Sequence, residues 1–318
     1  MRVLITGVTG FAGGHLAQYL SSVKKVELFG FRRARSKKEA PKNVRLLKAD
    51  LLDKEAVRKA LGQIKPDRVF HLAGRASAGQ SWQNPGETFK NNVTGTQILL
   101  EEIVRQNSRT RVHIAGSAEV YGLCPEGTKV RENAPFHPLN PYAVSKVAQE
   151  AVSLHYFKNY RLPVVITRAF NHIGPGQSES FVSSDFAKQV AAIEAGTSKP
   201  VMNVGNLGSV RDFTDVRDMV RAYWLALERG KPGEIYNISS GRGRKVSEIL
   251  QFYLRHSAVK ITVRKSSELR RRMDAPFLVG HAGKFQKQTG WKPEIRFEQS
   301  LKDILHDWRK RIGACCGK

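Results

Sequence analysis

The chain has 318 residues, of which 41% are hydrophobic and 25% charged, enough to bury the core of one large domain or of two interlocked lobes. No apolar run approaches the roughly 20 residues of a membrane span, and three cysteines without zinc-like spacing favour neither disulfides nor a metal site, so we expect a cytoplasmic protein without a signal peptide. The net charge of +25 would suit a polyanion, but Lys and Arg are spread along the whole chain without a basic helix or a zinc finger, which argues against specific nucleic-acid binding.

The first half of the chain alternates short apolar runs with helical stretches. Strands are predicted at 2–6, 26–31, 44–50, 67–73, 111–117 and 163–170. Helices are predicted after the glycine-rich segment that follows the first strand, at about 53–62, around 98–104 and at 142–160. The apolar runs are nearly continuous rather than alternating, which is typical of strands covered by helices on both faces. The order predicts an α/β fold with a Rossmann-type, doubly wound parallel sheet.

The second half has shorter elements, interrupted by glycine, proline and basic residues. Helices are predicted at 180–195, 215–229, 245–256 and 298–312, and strands near 200–204, 234–238 and 260–264. We expect residues 171–318 to form mainly a smaller α/β lobe on the carboxyl edge of the sheet, with pieces from about 205–230 returning to the first domain.

The segment TGVTGFAG, Thr6 to Gly13, follows the first predicted strand and opens the first predicted helix. Gly7, Gly10 and Gly13 would allow a tight turn and a close approach of the backbone to a pyrophosphate, with Phe11 and Ala12 at the start of the helix. The helix N-terminus would present free N–H groups and a partial positive charge to the phosphates. Residues 1–170 are therefore predicted to form a dinucleotide-binding domain.

The residues that follow the second strand indicate which dinucleotide binds. An NAD site usually carries a carboxylate there, whereas this chain has Arg32 and Arg33, and its nearest carboxylate is Glu39. Arginine suits a 2′-phosphate by charge and by bidentate geometry. The sequence therefore favours NADP(H) and leaves NAD(H) open. Asp50, at the end of the third strand, could bond the adenine or cap the helix that begins near Asp53.

Tyr142 and Lys146, in NPYAVSK, lie on one face of a predicted helix. An ammonium near the phenol would lower the pKa of Tyr142, which could then exchange a proton with a carbonyl or alcohol oxygen. Lys146 could also hold a nicotinamide ribose. Ser117, at the end of the fifth strand, could hydrogen-bond the same oxygen. These three residues are the predicted catalytic set.

The motifs TGVTGFAG, HLAG, NNVTGT, GSAEVYG and YAVSK together resemble the extended short-chain dehydrogenase/reductase family over nearly the whole chain. RAFNHIGPGQ and VGNLGSVRDFTDVRDMVRAYWLAL are similar to its GDP-sugar branch. The resemblance implies hydride transfer to C4 of GDP-4-keto-6-deoxy-D-mannose, giving GDP-D-rhamnose. It implies Tyr142 as proton donor, Lys146 as ribose anchor and Ser117 as hydrogen-bond donor to the carbonyl. It also implies further cofactor contacts from Leu51, Leu72, Ala73, Gly74 and Asn92.

The same resemblance places a GDP-sugar against the second half of the chain. It implies that Asn171 and Arg211 contact the diphosphate, and that Lys188, Arg271 and Asp274 lie nearer the nucleoside. Asn171 could instead stabilise the turn before Gly174, and Arg211 could pair with a neighbouring aspartate. An arginine also replaces the proline expected after Arg271, so that loop is expected to differ in shape.

Glu119 keeps a second reaction open. Dehydratases of this branch carry a glutamate at this place as the base that removes the C5 proton, and a carboxylate suits that step. A 4-epimerase is a third alternative. A different class, a sugar-nucleotide or RNA binder without catalysis, is suggested by the charge, but the complete Ser117, Tyr142 and Lys146 set argues against it. The resemblance further implies a homodimer formed through the helix that carries Tyr142 and its neighbour.

Overall fold

The computed structural model describes residues 1–33, 39–107, 109–266 and 275–316. Its strands are β1 (Arg2–Thr6), β2 (Glu27–Arg32), β3 (Val44–Lys48), β4 (Arg68–His71), β5 (Arg111–Ser117), β6 (Lys129–Val130), β7 (Val164–Ala169), β8 (Asn171–Ile173), β9 (Val201–Val204), β10 (Val210–Asp215), β11 (Ile235–Ile238), β12 (Gly243–Lys245), β13 (Thr262–Lys265) and β14 (Phe277–Gly280). Each strand predicted from the sequence is present within a few residues of its expected bounds.

The α-helices are α1 (Phe11–Ser21), α2 (Lys54–Ile64), α3 (Ala78–Gln83), α4 (Pro85–Phe89), α5 (Gly95–Asn107), α6 (Pro141–Tyr160), α7 (Val182–Glu194), α8 (Val216–Arg229), α9 (Val246–Arg255), α10 (Gly283–Thr289) and α11 (Phe297–Cys316). A π-helical turn, Lys90–Thr94, leads into α5, and a 3₁₀ turn, Ala118–Tyr121, follows β5. The sequence did not predict helices α3, α4 and α10 or strands β6, β8, β10, β12 and β14.

Within the described residues, seven strands pair in parallel in the order β3-β2-β1-β4-β5-β7-β11. The chain moves outward from β1 to β3 and then returns to the other side of β1 as β4. This reversal opens a crevice at the carboxyl ends of β1 and β4, where doubly wound sheets bind their ligands. The predicted doubly wound parallel sheet is confirmed.

Helices cover both faces of this sheet, which explains the continuous apolar runs in its strands. Successive residues of β1 belong to different cores: Val3 and Ile5 pack with α1 and α8, whereas Leu4 packs with α2 and α5. All three side chains are fully buried. Because both faces are dry, the alternation of a half-exposed strand is absent.

The second half builds a smaller lobe around β10, which pairs with β8, β12 and β14. Helices α7, α9 and α11 pack together in a separate hydrophobic cluster. Some of the later chain lies with the large sheet, since β11 forms its edge and α8 packs against α1. The division at residue 170 stays a prediction.

The two longest described helices, α6 and α11, have 20 residues each. Both carry several charged side chains, among them Lys146 and Glu150 in α6. No helix in the described ranges combines the length and the apolar character that a bilayer crossing demands.

Candidate active site

The glycine turn joins β1 to α1 with very little space to spare. Gly7 has a φ of +74°, in the left-handed region, and a Cβ there would lie 2.8 Å from the nitrogen of Ala73. A Cβ on Gly13 would lie 2.2 Å from the Gly7 carbonyl oxygen. Gly10, the N-cap of α1, leaves the helix N-terminus without a side chain over it. This cradle fits a pyrophosphate held by backbone N–H groups.

Substituting Gly13 with alanine should therefore weaken NADPH binding by about 5-fold to 150-fold, since displacing this turn by overpacking costs about 1–3 kcal/mol. The matched control is Gly14→Ala, whose Cβ would meet its nearest neighbour, the Val8 carbonyl oxygen, at an ordinary 3.8 Å. Titration of NADPH against both variants measures the difference. Equal affinity of Gly13→Ala and the unmodified protein would contradict the close packing of this turn.

The residues beyond β2 and β3 lie where the sequence placed the cofactor's adenosine end. Arg32 is the last residue of β2, Arg33 follows it, and both side chains are exposed. Asp50 accepts a hydrogen bond from the backbone N–H of Leu52 at 3.1 Å, and Asp53 caps α2 by accepting from Ala56 N–H at 3.0 Å. Asp50 is therefore not the cap of α2, which leaves its contact with the adenine as the remaining prediction.

The loop after β4 forms the other wall of the crevice. Leu72 and Gly74 line the cavity, and Ala73 N–H donates to Thr6 Oγ1 at 3.2 Å. Asn92 is fully buried behind this loop: its Oδ1 accepts from Arg75 N–H at 2.8 Å. The Asn92 amide also donates to the Arg75 carbonyl and to a serine of α6. Asn92 thus supports the loop from behind, and its direct contact with the cofactor stays a prediction.

Ser117, Tyr142 and Lys146 converge on one cavity of about 310 Å³, which the glycine turn also lines. Ser117 ends β5, and Tyr142 stands in the first turn of α6, whose N-cap Asn140 accepts from Ala143 N–H at 2.8 Å. Lys146 follows one turn later on the same face of α6. The cap fixes where the helix begins, and so it fixes where Tyr142 and Lys146 point.

Burial sets the protonation states of Tyr142 and Lys146. It raises the pKa of Tyr142 to about 12, against the opposing hydrogen bond from Ser117, and Glu119 nearby raises it further. Burial also lowers the pKa of Lys146 to about 8, against the opposing charge of Glu150. The sequence predicted a lowered pKa for Tyr142. That prediction is wrong, because burial dominates and the Lys146 ammonium bonds Ala115 O and Gln149 Oε1 rather than the phenol.

Glu119 lines the same cavity from the 3₁₀ turn after β5. Its carboxylate accepts from Asn140 Nδ2 at 3.2 Å, and its backbone N–H donates to Ser117 Oγ at 3.2 Å. Asn140 therefore holds both the start of α6 and the Glu119 carboxylate. A carboxylate is present where a base for proton abstraction would be needed.

The residues predicted to bind the substrate do not all lie at the cavity. Asn171 lines the cavity. Arg211 is 5% exposed on β10, and one of its N–H groups donates to the Val210 carbonyl at 2.9 Å. Lys188 lies on α7, where its ammonium pairs with Glu179 at 3.2 Å and stands over the Trp308 ring. Neither Arg211 nor Lys188 is among the residues that line the cavity. Arg271 and Asp274 lie outside the described residues.

Two aspartates near Arg211 in the sequence, Asp212 and Asp215, form hydrogen bonds with other groups. Asp212 accepts from the backbone N–H groups of Ser240, Gly241 and Gly280. Asp215 caps α8 and pairs with Arg217 at 2.8 Å.

Several cavity residues were not assigned from the sequence. His172 lines the cavity and stacks on Phe11 with ring centroids 5.9 Å apart. Gln177 and Ser183 form part of the second-lobe wall, joined by a 3.2 Å hydrogen bond. Tyr223 reaches the cavity from α8. The one sequence signal for them was the motif FNHIGPGQ, since His172 and Gln177 flank its Gly-Pro-Gly turn.

Two buried histidines should make the fold sensitive to acid. Burial lowers the pKa of His71 and of His113 to about 3, and the Lys146 charge adds to both shifts. Because the unfolded histidines would titrate near 6.5, the unfolded state binds more protons as the pH falls. The free energy of unfolding should then decrease by about 1.4 kcal/mol per pH unit for each histidine between about pH 6 and 4.

Chemical denaturation at several pH values tests this slope. His113→Gln should reduce it by about half, whereas His306→Gln, at an exposed position of α11, should leave it unchanged. A stability that stays flat between pH 6 and 4 would contradict the neutral state of both buried histidines.

In the described ranges, no group of three His, Cys, Asp or Glu side chains is placed to hold a metal ion. The cavity instead offers an N–H-rich helix end, a phenol, an ammonium, a hydroxyl and a carboxylate. This is a set of groups for binding a dinucleotide and for moving a proton beside it.

Comparison with known proteins places the chain in a family. A sequence profile of the GDP-mannose 4,6 dehydratase family matches residues 4–304. The GDP-6-deoxy-D-mannose reductase of Pseudomonas aeruginosa is 34% identical over 313 residues, 98% of this chain and 98% of that protein. GDP-mannose 4,6 dehydratase 2 of Arabidopsis thaliana is 31% identical over 96% of this chain and 86% of that protein.

Solved structures agree with the sequence matches. RMD from Pseudomonas aeruginosa, complexed with NADPH, has a TM-score of 0.85 and 33% identity, and the match covers 98% of this chain and 99% of that one. The UDP-glucose 4-epimerase of Thermus thermophilus, in complex with NAD, has a TM-score of 0.87 and 29% identity over 97% of this chain and 99% of that one. The resemblance seen in the motifs is confirmed, and the chain belongs to the GDP-mannose 4,6-dehydratase family of extended, NAD(P)-dependent short-chain dehydrogenases/reductases.

Proposed function

We propose that this protein reduces the C4 keto group of GDP-4-keto-6-deoxy-D-mannose to give GDP-D-rhamnose, with NADPH as the reductant. The observation that carries the proposal is the convergence of Ser117, Tyr142 and Lys146 on one cavity that the glycine turn also lines. The full-length match to a protein named GDP-6-deoxy-D-mannose reductase supports the choice of substrate.

Tyr142 is the proposed proton donor. Its pKa of about 12 keeps the phenol protonated at neutral pH, which is the form that a reduction requires. NADPH, when bound, supplies the hydride to the C4 carbon. As negative charge develops on the C4 oxygen, the Tyr142 O–H delivers its proton there, and Ser117 donates a hydrogen bond to the same oxygen.

Lys146 is the proposed anchor for the nicotinamide ribose and a source of positive charge beside the phenol. Its ammonium stands 5.8 Å from the centre of the Tyr142 ring. In that position it would stabilise the tyrosinate left after proton transfer. Arg32 and Arg33 are the residues that would select the 2′-phosphate of NADP(H), and the relative solved with NADPH supports that preference.

Asn171 is the proposed contact to the sugar-nucleotide diphosphate from the cavity wall. Arg211 remains a candidate for the same group, and it would have to turn away from the Val210 carbonyl to reach the cavity. Lys188 would have to break its ion pair with Glu179 before it could contact the nucleotide. Such rearrangements fit a lobe that closes on its substrate.

A 4,6-dehydratase is the second candidate, because Glu119 is held in the cavity beside Tyr142 by Asn140. In that reaction the carboxylate would remove the C5 proton, and NADP⁺ would be regenerated within each turnover. The proposed role of Glu119 in a reductase is to shape the pocket without proton transfer.

The test follows NADPH absorbance during addition of GDP-4-keto-6-deoxymannose, with GDP-mannose plus NADP⁺ run in parallel and products identified by mass. Consumption of NADPH with a product two mass units heavier supports the reductase. Loss of water from GDP-mannose without consumption of NADPH would overturn it in favour of the dehydratase. Interconversion of C4 epimers without net redox change would indicate an epimerase.

We also propose a homodimer formed through α5 and α6. Leu99, Leu100 and Ile103 of α5 face the sheet and are buried, so they are not available to a partner. The outward face of α6 instead presents Val144, 40% exposed, and the exposed small residue Ala151. Sedimentation of the unmodified protein and of Ala151→Glu distinguishes a dimer through this face from a monomer.

A further inference from the structure

A buried line of hydrogen bonds runs from Lys146 to the strand that precedes the glycine turn. Lys146 Nζ donates to Gln149 Oε1 at 2.8 Å, and Gln149 Nε2 donates to Thr96 Oγ1 at 2.7 Å. His71 Nε2 lies 2.8 Å from the same Thr96 oxygen, and His71 Nδ1 lies 2.8 Å from Thr6 Oγ1. All five side chains are at most 7% exposed. The line joins α6, α5, β4 and β1.

The hydrogen bonds of Thr96 fix which nitrogen of His71 must carry a hydrogen. Thr96 donates its single hydroxyl hydrogen to the Asn92 carbonyl at 2.7 Å, so its oxygen must accept from both Gln149 and His71. His71 therefore carries a hydrogen on Nε2, and in the neutral ring its Nδ1 accepts from the Thr6 hydroxyl. Deep burial keeps the ring neutral by lowering the pKa of His71 to about 3, so Nδ1 has no hydrogen of its own. The Gln149 amide can then present only its oxygen to the lysine.

The Lys146 ammonium is held by two acceptors, the Ala115 carbonyl at 2.7 Å and Gln149 Oε1 at 2.8 Å. Lysine has three N–H donors, and the side chain lines the cavity, so one donor remains to face a ligand. We propose that Gln149, Thr96 and His71 are positioning residues that fix the Lys146 ammonium in the orientation and charge state that catalysis requires. This inference rests on the proposed function, in which Lys146 anchors the nicotinamide ribose.

The groups that face Lys146 explain why a neutral acceptor is useful here. Glu150 lies one turn further along α6, but it is paired with Arg168 of β7 at 2.8 Å. His71 and His113, on β4 and β5, are neutral. Tyr142, on α6, is a protonated phenol. Because Glu150 is occupied by Arg168, Gln149 supplies a directional hydrogen bond to the Lys146 ammonium. A hydrogen bond to the charged form of a group stabilises that form.

The test measures kcat, and kcat/KM for NADPH, against pH in variants at position 149. Lys146 has a pKa of about 8, so activity that needs its ammonium should be lost as the pH rises through that value. Gln149→Leu removes the acceptor, which should lower kcat roughly 10-fold. It should also move the alkaline limb, the fall of activity at high pH, to a pH about one unit lower. Gln149→Glu keeps an acceptor and adds a negative charge, so its limb should move to higher pH.

A second pair of variants tests the middle of the line without touching Gln149. Thr96→Val keeps the shape and removes the hydroxyl, so it should reproduce the downward shift of Gln149→Leu. Thr96→Ser restores the hydroxyl and should behave as the unmodified protein. Ser153→Ala is the matched control on the same buried face of α6, because among the described residues its hydroxyl bonds only the Gln149 backbone carbonyl. This control should leave both kcat and the limb unchanged.

Chemical labelling separates this inference from the proposed function. Competitive acetylation of Lys146 across a pH series, read by mass spectrometry of its peptide, reports the pKa of that amine without any turnover. A lowered pKa in Gln149→Leu and Thr96→Val supports the positioning role even if no tested sugar is reduced. An unchanged labelling profile and an unchanged alkaline limb in both variants would overturn it.

Discussion

Replacing Tyr142 with phenylalanine should lower kcat by about 10²–10⁴-fold while leaving the affinity for NADPH nearly unchanged. The substitution removes only the phenolic O–H, which in this site is the group beside the Ser117 hydroxyl that can donate a proton. The residue is 8% exposed and the ring is retained, so packing is preserved. Stopped-flow or steady-state oxidation of NADPH measures kcat, and fluorescence titration measures cofactor binding.

Tyr156→Phe is the control for that experiment, because Tyr156 is equally buried and lies on the same helix. It should retain the activity of the unmodified protein. With a pKa of about 12, Tyr142 stays protonated throughout the accessible range, so any alkaline loss of activity near pH 8 belongs to Lys146. Turnover by Tyr142→Phe at the rate of the unmodified protein would remove Tyr142 from the mechanism.

The largest effect on stability is expected at the buried pair behind the active site. Arg168 forms a bidentate contact with Glu150, with Nε–Oε1 and Nη2–Oε2 distances of 3.0 and 2.8 Å, and both side chains are at most 3% exposed. Arg168 also donates to the Tyr121 hydroxyl and to the Glu132 carbonyl. Glu150→Leu leaves the guanidinium buried without its carboxylate, which should lower the free energy of unfolding by about 3–5 kcal/mol.

The double variant Glu150→Leu with Arg168→Met is the control for the buried charge. Replacing both partners with apolar side chains of similar size should recover most of the lost stability, because no uncompensated ion remains. Denaturant unfolding of the unmodified protein and of the single and double variants gives the comparison. If the double variant is as unstable as Glu150→Leu, the loss comes from packing rather than from the unpaired guanidinium.

Local patterns in the sequence were sufficient for the sheet and the cofactor turn. The strands of the first domain are read from continuous apolar runs, because burial on both faces leaves no polar alternation. The glycine turn is read from its spacing between a strand and a helix, and the close approaches at Gly7 and Gly13 are the reason for that spacing. The helical spacing of Tyr142 and Lys146 likewise predicts a shared face.

Properties that depend on several distant segments were not predictable in the same way. The pKa of Tyr142 depends on how deeply α6 is buried, and the sequence suggested the opposite direction. Asn92 lies in a family motif, but the motif does not reveal that its side-chain amide is hydrogen-bonded to Arg75 and Ser145. Lys188 carried the charge that a nucleotide would need, but the fold pairs it with Glu179 outside the cavity lining.

By itself, the sequence determined the doubly wound sheet, the phosphate-binding turn and the identity of the residues able to carry a proton. These follow from periodicity and spacing over fewer than about 20 residues, where backbone geometry is local. The tertiary structure alone decided the protonation states of Tyr142 and Lys146 and the line from Lys146 through Gln149 and Thr96 to His71. That line depends on contacts between residues as far apart in the chain as Gln149 and Thr96, which are separated by 53 positions. The protonation states depend on desolvation, which is set by all of the packed neighbours together rather than by any one segment.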